Sequence, residues 1–206
     1  KLFPIILLII FNVLLSKWDD IQEYSDLDFE CDLDGDLKYD CDEFHDFGFQ
    51  NWQQKDYRSC IDQFRLLLKC GCKDKQSEKV FKRLGSAYIK VKDIDRTVQL
   101  DSALINVKLG LQNYPDDIEL LELGAWITSK QFEDGDKNKL DEQLYYLDEI
   151  LNINPENTNI LEQINNAFKQ SEMYEEQIII LDKWLDIDPT NKKAISDKKY
   201  AFNALG

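Results

Sequence analysis

The apolar and polar positions divide the chain into three regions with different periods. Residues 2–15 are apolar apart from Pro4 and Asn12. In residues 26–42 apolar and acidic residues alternate with a period of two, which is typical of an extended strand. From about residue 41 onward the apolar residues recur at helical spacing. We therefore predict three regions: an apolar N-terminal segment (residues 1–16), an acidic extended arm (17–40) and a helical domain (41–206).

The helical region contains an internal repeat that is marked by prolines. Pro155 and Pro189 are 34 residues apart, and each follows an apolar helical segment. Pro115 lies 40 residues before Pro155, which is one repeat plus six residues, and the polar stretch 133–139 has room for that insertion. Because proline cannot continue a helix, the three prolines mark the ends of successive helices. The period predicts stacked helical hairpins, each covering the apolar face of its neighbour.

This repeat resembles the tetratricopeptide repeat (TPR) family, whose unit is a 34-residue helix-turn-helix. Leu84-Gly85 followed by Tyr88 matches the Leu-Gly-x-x-Tyr element of the first helix. Ala103 and Gly110 match small positions of the second helix, if six residues are inserted near 95–101. Small residues let adjacent helices approach closely, so Gly85 and Ala103 are candidates for close contact.

Weaker matches extend the resemblance over about 160 residues. They are Phe47-Gly48, Cys60, Phe64 and Leu67 in an earlier unit (about 41–74), Leu123-Gly124 and Ile127 in a third, and Leu161, Ile164, Phe168, Leu181 and Trp184 in a fourth. Asn165 and Gln177 stand where the family has small residues. The resemblance implies an all-α, TPR-like helical-hairpin solenoid of about four units, closed by a capping helix at residues 192–206.

The charge is concentrated before the helical domain. The chain carries 40 acidic and 25 basic residues, a net charge of −15 at pH 7. Residues 1–46 hold 13 of the acids and only three lysines, so the remaining 160 residues are close to balanced. An acidic field repels phosphate backbones, and nucleic acid is therefore not an expected partner.

The apolar segment at residues 2–15 leaves three interpretations open. As a helix its 14 residues would be roughly 21 Å long, shorter than the roughly 30 Å hydrocarbon core of a bilayer. It reads as a retained anchor or assembly helix, as a signal peptide, or as a segment buried within the fold. A membrane contact through residues 2–15 is included in the first interpretation. All three indicate an exported protein of the cell envelope or the extracellular space.

The five cysteines suit a disulfide framework in an oxidising compartment. A helical hairpin brings its two ends together, so Cys41 is expected to bridge Cys70 or Cys72. Cys31 with Cys41 is the rival pairing. Cys60 occupies a small position of a second helix and is expected to be a buried free thiol.

The acidic arm has two structural interpretations. Asp34-Gly35 fits the turn of a β-hairpin that would place Leu33 opposite Leu37. The alternating acids also resemble the start of an EF-hand-like loop with glycine at its sixth position, a pattern that suits calcium. The candidate calcium ligands are Glu30, Asp32, Asp34, Asp36 and Asp42, although Cys41 stands where such a loop needs a bidentate carboxylate.

Motifs for catalysis are absent from the sequence. His45 is the only histidine, and no glycine-rich phosphate loop, metalloprotease motif or nucleophile elbow occurs. We therefore expect a protein that is not an enzyme and has no confident cofactor beyond Ca²⁺. Asp101-Ser102-Ala103 resembles a short bacterial O-glycosylation motif, which makes Ser102 a candidate glycosylation site.

The expected partner site lies on the first helices, which line the concave side of stacked hairpins. The candidate partner-binding residues are Lys79, Lys82, Ser86 and Lys90 in the second unit and Phe49 and Trp52 in the first. A basic patch beside aromatic residues suits an acidic or extended segment of another protein. The leading hypothesis is a non-catalytic protein-interaction scaffold. The alternative is a self-assembling subunit of an extracellular filament or surface polymer, in which the N-terminal arm packs on the repeats of the neighbouring subunit.

Overall fold

The structure, a computed structural model, describes residues 37–206, with side chains from residue 41 onward. This range is helical and contains no strand. Its α-helices are α1 (Leu37–Gln54), α2 (Tyr57–Lys69), α3 (Glu78–Lys90), α4 (Arg96–Asn113), α5 (Ile118–Glu133), α6 (Lys139–Ile153), α7 (Thr158–Gln170), α8 (Tyr174–Ile187) and α9 (Lys192–Leu205). A short 3₁₀ turn (Lys73–Lys75) lies between α2 and α3.

The helices pack as four hairpins followed by a single helix. The pairs α1–α2, α3–α4, α5–α6 and α7–α8 each pack together, and every second helix also packs on the first helix of the next unit. The helix α9 packs on α8. The predicted all-α, TPR-like solenoid of about four units plus a final helix is confirmed for the described residues.

The prolines mark the same turn at three unit boundaries. The residues before them, Tyr114, Asn154 and Asp188, have φ angles of −134°, −134° and −130°. Two residues after each proline, an Asp or Asn caps the next helix. The side chains of Asp117, Asn157 and Asn191 accept hydrogen bonds from backbone N–H groups of Leu120, Ile160 and Ala194. These caps satisfy amides that the first turn of a helix leaves without partners.

The six-residue insertions are shared between loops and helices. In the fourth unit α7 and α8 have 13 and 14 residues and the linking loop is 171–173. In the second unit the loop is 91–95 and α4 has 18 residues. In the third unit the loop is 134–138, and α5 and α6 have 16 and 15 residues. The polar stretch 133–139 therefore contains only part of the six-residue insertion in the third unit.

Small residues allow the predicted close contacts between helices. A Cβ atom added to Gly85 would lie 3.4 Å from the backbone oxygen of Ala103, so α3 and α4 approach closely there. A Cβ atom on Gly48 would lie 2.3 Å from the ring of Phe64, which packs over α1. Such a contact is shorter than any that a well-packed core tolerates.

The fourth unit replaces small residues with a buried hydrogen-bonded network. Asn165 is fully buried, donates to Asp197 Oδ2 at 2.9 Å and accepts from Gln177 Nε2 at 2.9 Å. Lys169 Nζ lies 2.8 Å from Asp197 Oδ1. Because Asp197 belongs to α9, this network links the final helix to both helices of the fourth unit. The departures Asn165 and Gln177 thus change the packing chemistry and leave the architecture intact.

The extended arm and its hairpin are wrong for residues 37–40, which lie in α1. The apolar positions Cys41, Phe44, Gly48 and Trp52 have helical spacing and face α2 and α3. A helix that starts from them propagates one turn back to Leu37, because each added residue gains a backbone hydrogen bond without a new nucleation step. Residues 17–36 of the arm, like the apolar segment 1–16, lie outside the described residues.

A disulfide bond joins Cys41 in α1 to Cys72 after α2, with their Cα atoms 5.6 Å apart. Of the pairings left open above, the bridge to Cys72 is confirmed and the rival bridge between Cys31 and Cys41 is wrong. Cys70 is disulfide-bonded as well. Cys60 is a buried free thiol, as predicted, and burial raises its pKa to about 12. Within residues 37–206 no helix has the length and apolar character to cross a bilayer.

Candidate functional site

The structure brings three of the predicted partner-binding residues together where α1 and α3 lie side by side. Phe49 and Trp52 project from α1, and Lys90 comes from the end of α3. The Nζ atom of Lys90 lies 4.6 Å from the centre of the Trp52 ring. This distance is within the range of a cation–π interaction. The first and second units therefore share one surface at this point.

Two further residues, which the sequence reasoning missed, complete this surface. The guanidinium carbon of Arg83 lies 5.1 Å from the ring centre of Phe49 and 5.3 Å from that of Trp52. Tyr57, at the start of α2, packs edge-on against Trp52 with the ring centres 5.5 Å apart. Its ring centre is 5.6 Å from Lys90 Nζ. We refer to Phe49, Trp52, Tyr57, Arg83 and Lys90 as the aromatic–cation cluster.

Among the described residues, the two cations of the cluster lack an acidic partner. Within the described residues, neither Arg83 nor Lys90 has a carboxylate oxygen within 4.0 Å. The Nε atom of Arg83 is buried and has no hydrogen-bond partner there. Arg58, by contrast, pairs with Asp93 at 2.5 Å, and Arg96 with Asp134 at 2.7 Å. A guanidinium that stacks on aromatic rings keeps its N–H edge for a planar carboxylate, which it binds through two parallel hydrogen bonds.

Lys82 differs from the other predicted cations, because its charge is already compensated. Its Nζ atom lies 2.9 Å from Glu119 Oε2 and 3.5 Å from Asp117 Oδ2, both on the third unit. Burial alone would lower the pKa of Lys82, but the hydrogen bonds and charges of these carboxylates raise it above its usual value. Lys82 thus links the second unit to the third, and it is not a free cation for a partner.

Lys79 lies in acidic surroundings. A shallow groove at this unit boundary is lined by Lys79 and Lys82 together with the carboxylates of Glu78, Asp116, Asp117 and Glu119. The hydrogen bond and charge of Lys82, with smaller contributions from Arg83 and Lys79, lower the pKa of Glu119. The predicted basic patch is therefore confined to the Arg83–Lys90 end of α3. Ser86 lies between these two residues and is partly buried.

The sequence carries a signal for Arg83 but none for Tyr57. Lys79, Arg83, Ser86 and Lys90 follow one another at intervals of four, three and four residues, which places them on one face of a helix. Tyr57 belongs to α2, and only the turn at residues 55–56 carries it back against Trp52. Such a contact depends on hairpin geometry and leaves no periodic trace in the sequence.

The predicted calcium ligands are mostly outside the described residues. Asp42 is the exception: it lies in α1 and forms an ion pair with Lys75 in the 3₁₀ turn. The side chains described from residue 41 onward form no group of three or more potential metal ligands. Glu30, Asp32, Asp34 and Asp36 lie outside the described part, so calcium binding stays a prediction.

Ser102 is buried in α4, and His45 lies on α1 beside Phe49. Ser102 is 2% exposed within α4, and this burial argues against glycosylation of the folded chain. The Nδ1 atom of His45 lies 2.9 Å from Asp46 Oδ1, and its ring centre lies 4.7 Å from that of Phe49. The histidine thus borders the aromatic–cation cluster.

Neither a family model nor a curated protein matches this sequence. Solved structures with a similar fold do exist. A crystal form of MamA AMB-1 superposes with a TM-score of 0.58 at 18% identity, covering 82% of this chain and 84% of that one. A tetratricopeptide repeat protein from Parabacteroides merdae gives a TM-score of 0.59 at 17% identity, covering 81% of this chain and 66% of that one.

A third similar structure is YrrB, described as a TPR protein with an unusual peptide-binding site. It superposes with a TM-score of 0.56 at 20% identity, covering 79% of this chain and 77% of that one. These likenesses, together with the four hairpins described above, show that the fold is that of a TPR solenoid.

Proposed function

Starting from this TPR-type architecture, we propose that the chain is a non-catalytic protein-interaction scaffold whose first two units bind an acidic segment of a partner protein. The observation that carries the proposal is the aromatic–cation cluster, in which Arg83 and Lys90 stack on aromatic rings without a carboxylate partner in the described residues. A solenoid fold supports it, because stacked hairpins present an extended surface to a chain lying across them.

The chemistry of the cluster indicates the kind of segment that it binds. Arg83 and Lys90 offer two positive charges, and the faces and edges of Phe49, Trp52 and Tyr57 offer apolar contact area between them. A peptide with a glutamate or aspartate next to an apolar residue satisfies both features. The likeness to YrrB, a protein with a peptide-binding site, agrees with this ligand class.

We further propose that the protein is exported and acts in the cell envelope or outside the cell. The disulfide between Cys41 and Cys72 supports this location, because such bonds persist in oxidising compartments. The apolar residues 2–15 support it as well, either as a membrane contact or as a signal peptide. Self-assembly is the second candidate function, and an exposed apolar face on α9 favours it.

A binding experiment with charge-matched variants tests the scaffold function. The probe is a fluorescein-labelled peptide that contains several glutamates and one phenylalanine, and the comparison peptide has glutamine in place of each glutamate. Fluorescence anisotropy gives Kd for the unchanged chain and for the variants Arg83→Gln and Lys90→Gln. Lys183→Gln is the control, because it removes the same charge from an exposed position on α8.

We expect Arg83→Gln to raise Kd roughly tenfold or more, because a hydrogen bond to a charged group contributes ~1.5–3 kcal/mol. Lys90→Gln should raise it less, since a lysine contributes a point charge rather than a planar pair of donors. The glutamine peptide should bind weakly to every variant. Equal binding of both peptides, or an equal effect of Lys183→Gln, would show that the cluster is not the site.

A further inference from the structure

The last helix exposes large apolar side chains along one face. Ile195, Phe202 and Leu205 are 50%, 56% and 48% exposed. They are separated by seven and three residues, which places them on one side of α9. The adjoining side, with Ala194, Asp197 and Ala201, is buried against the fourth unit. We refer to Ile195, Phe202 and Leu205 as the α9 face.

The equivalent positions of earlier first helices are covered. Four residues after the capping residue, the second and fourth units have Phe81 and Leu161, which are 1% and 0% exposed, whereas α9 has Ile195. Eleven residues after the cap, Tyr88 in the second unit is 6% exposed, whereas α9 has Phe202. The α9 face is therefore built like a hairpin interface.

Within residues 37–206, no second helix covers the α9 face. The helices α3, α5 and α7 each pack on the second helix of the preceding unit and on the second helix of their own unit. Within residues 37–206, α9 packs extensively only on α8. One helix of about the length of α8, which has 14 residues, would cover the α9 face. Apolar side chains clustered in this way mark interaction surfaces.

The N-terminal segment of this chain has the length and character of such a helix. Residues 2–15 number 14, like α8 and α9, and are apolar apart from Pro4 and Asn12. Pro4 would stand in the first turn, where proline is tolerated in a helix. Docking on the α9 face would remove apolar surface of the segment from water, which is favourable.

Charge supports the same occupant. The helix α9 carries four lysines and one acid, Asp197, which is buried. Lys193 and Lys198 pair with carboxylates of the chain, whereas Lys192 and Lys199 have no carboxylate oxygen within 4.0 Å in the described residues. The residues that follow the apolar segment include Asp19, Asp20 and Glu23. Docking would thus place acids next to lysines. A symmetric contact between two α9 faces would instead bring the same lysines together, which is unfavourable.

We propose that residues 2–15 of one copy dock on the α9 face of a second copy, in the position that a second helix occupies in the earlier units. The segment precedes the first unit, whereas α9 follows the fourth, so this contact joins opposite sides of the four-unit array in two copies. A head-to-tail contact does not close on itself and produces an open polymer of chains. The α9 face is separate from the aromatic–cation cluster, so each of the two proposals is tested without the other.

The test uses the full chain and two variants that each remove one half of the contact. The segment variant carries Leu8→Asp and Phe11→Asp, and the face variant carries Ile195→Gln and Phe202→Gln. The control is Val98→Gln, which changes a 48% exposed apolar residue on α4. Light scattering coupled to size-exclusion chromatography gives the mass at increasing concentration. Circular dichroism checks that each variant keeps the helicity of the unchanged chain.

The proposal expects the unchanged chain and Val98→Gln to form a concentration-dependent series of oligomers, and each double variant to be a monomer. An equimolar mixture of the two double variants should form a dimer and nothing larger, because only one intact segment and one intact face remain. Arg83→Gln should assemble like the unchanged chain.

Three outcomes would overturn the proposal. A full chain that stays monomeric at every concentration would mean that the segment docks on its own chain or elsewhere. Oligomers that survive the segment substitutions would indicate a symmetric contact. Oligomers that the face substitutions leave unchanged would indicate non-specific association of the apolar segments.

Discussion

The first two units and the end of the fourth unit use charged residues in opposite ways. In the first two units, Arg83 and Lys90 lie on aromatic rings, and no carboxylate of the described chain reaches them. At the other end, the buried carboxylate of Asp197 is held by Lys169 and Asn165. The exposure of apolar residues differs as well, because Phe49 and Trp52 are partly buried, whereas Ile195 and Phe202 are exposed.

This comparison shows how one repeat produces two kinds of surface. A charge that is satisfied within the chain stabilises the contact between units, as Asp197 does between the fourth unit and α9. A charge that stays unsatisfied but is held in place by aromatic rings is preorganised for a ligand, since it loses little side-chain freedom on binding. Under the function proposed above, equivalent helix positions would serve stability at one end and recognition at the other.

The largest expected effect concerns the disulfide between Cys41 and Cys72 in the first unit. Cys72→Ser should lower the free energy of unfolding by about 4 kcal/mol, because the bond closes a loop with a sequence separation of 31 residues. Urea unfolding followed by circular dichroism measures the change. Cys60→Ala, which removes a free thiol, is the control. If the substitution mainly affects the first unit, binding of the acidic peptide should also weaken, whereas the fourth unit should keep its protection against hydrogen exchange.

A smaller effect is expected at the other end of the solenoid. Asn165→Ala removes the group that joins Gln177 to Asp197 and leaves both partners buried with fewer hydrogen bonds. We expect a loss of about 2–3 kcal/mol in the free energy of unfolding, measured by urea titration. Asn166→Ala is the matched control, because Asn166 is exposed and has only a surface contact with Lys193. An equal loss in both variants would show that the buried network does not stabilise α9.

The smallest expected effect is a pH dependence of the same network. Burial tends to raise the pKa of Asp197, but the hydrogen bonds from Lys169 and Asn165 outweigh it and lower that pKa below its usual value. The folded state thus binds this proton less readily than the unfolded chain does. The stabilisation is complete above the unfolded pKa of about 3.9 and is lost as the pH falls through the lower, folded value.

Unfolding by urea at a series of pH values between neutral and acidic tests this prediction. The free energy of unfolding should fall toward acidic pH less steeply in Asp197→Asn than in the unchanged chain. Asp182→Asn, which removes an exposed carboxylate that pairs with Lys198, is the comparison variant. An unchanged slope in Asp197→Asn would show that this carboxylate does not contribute to the acid sensitivity.

Much of the fold follows from the sequence because its signals are local. The prolines at 115, 155 and 189 and the Asp or Asn two residues later define the unit boundaries through backbone geometry and capping. The sequence does not predict the first turn of α1 correctly, because residues 37–41 alternate like a strand while the apolar spacing that follows them is helical. The helix forms there because the longer helical pattern provides the nucleus.

The candidate site was predictable only in part. Phe49, Trp52 and Lys90 were found from helical register, and the same register contains Arg83. Lys82 fits the register equally well, yet its carboxylate partner Asp117 lies 35 residues further along the chain. A residue's place on a helix face is a local property, whereas its charge partner depends on which unit packs beside it.

The sequence by itself determined the repeat, the hairpin order and the free thiol at Cys60, because periodicity, proline and small residues act within one or two turns of helix. Tertiary structure decided the pairing of Cys41 with Cys72, the ion pair of Lys82 with Glu119 and the exposure of Ile195 and Phe202. Each of these depends on which helices are neighbours in space. Residues at equivalent positions of different units are therefore buried or exposed, and their charges are paired or unpaired, depending on which helix packs against them.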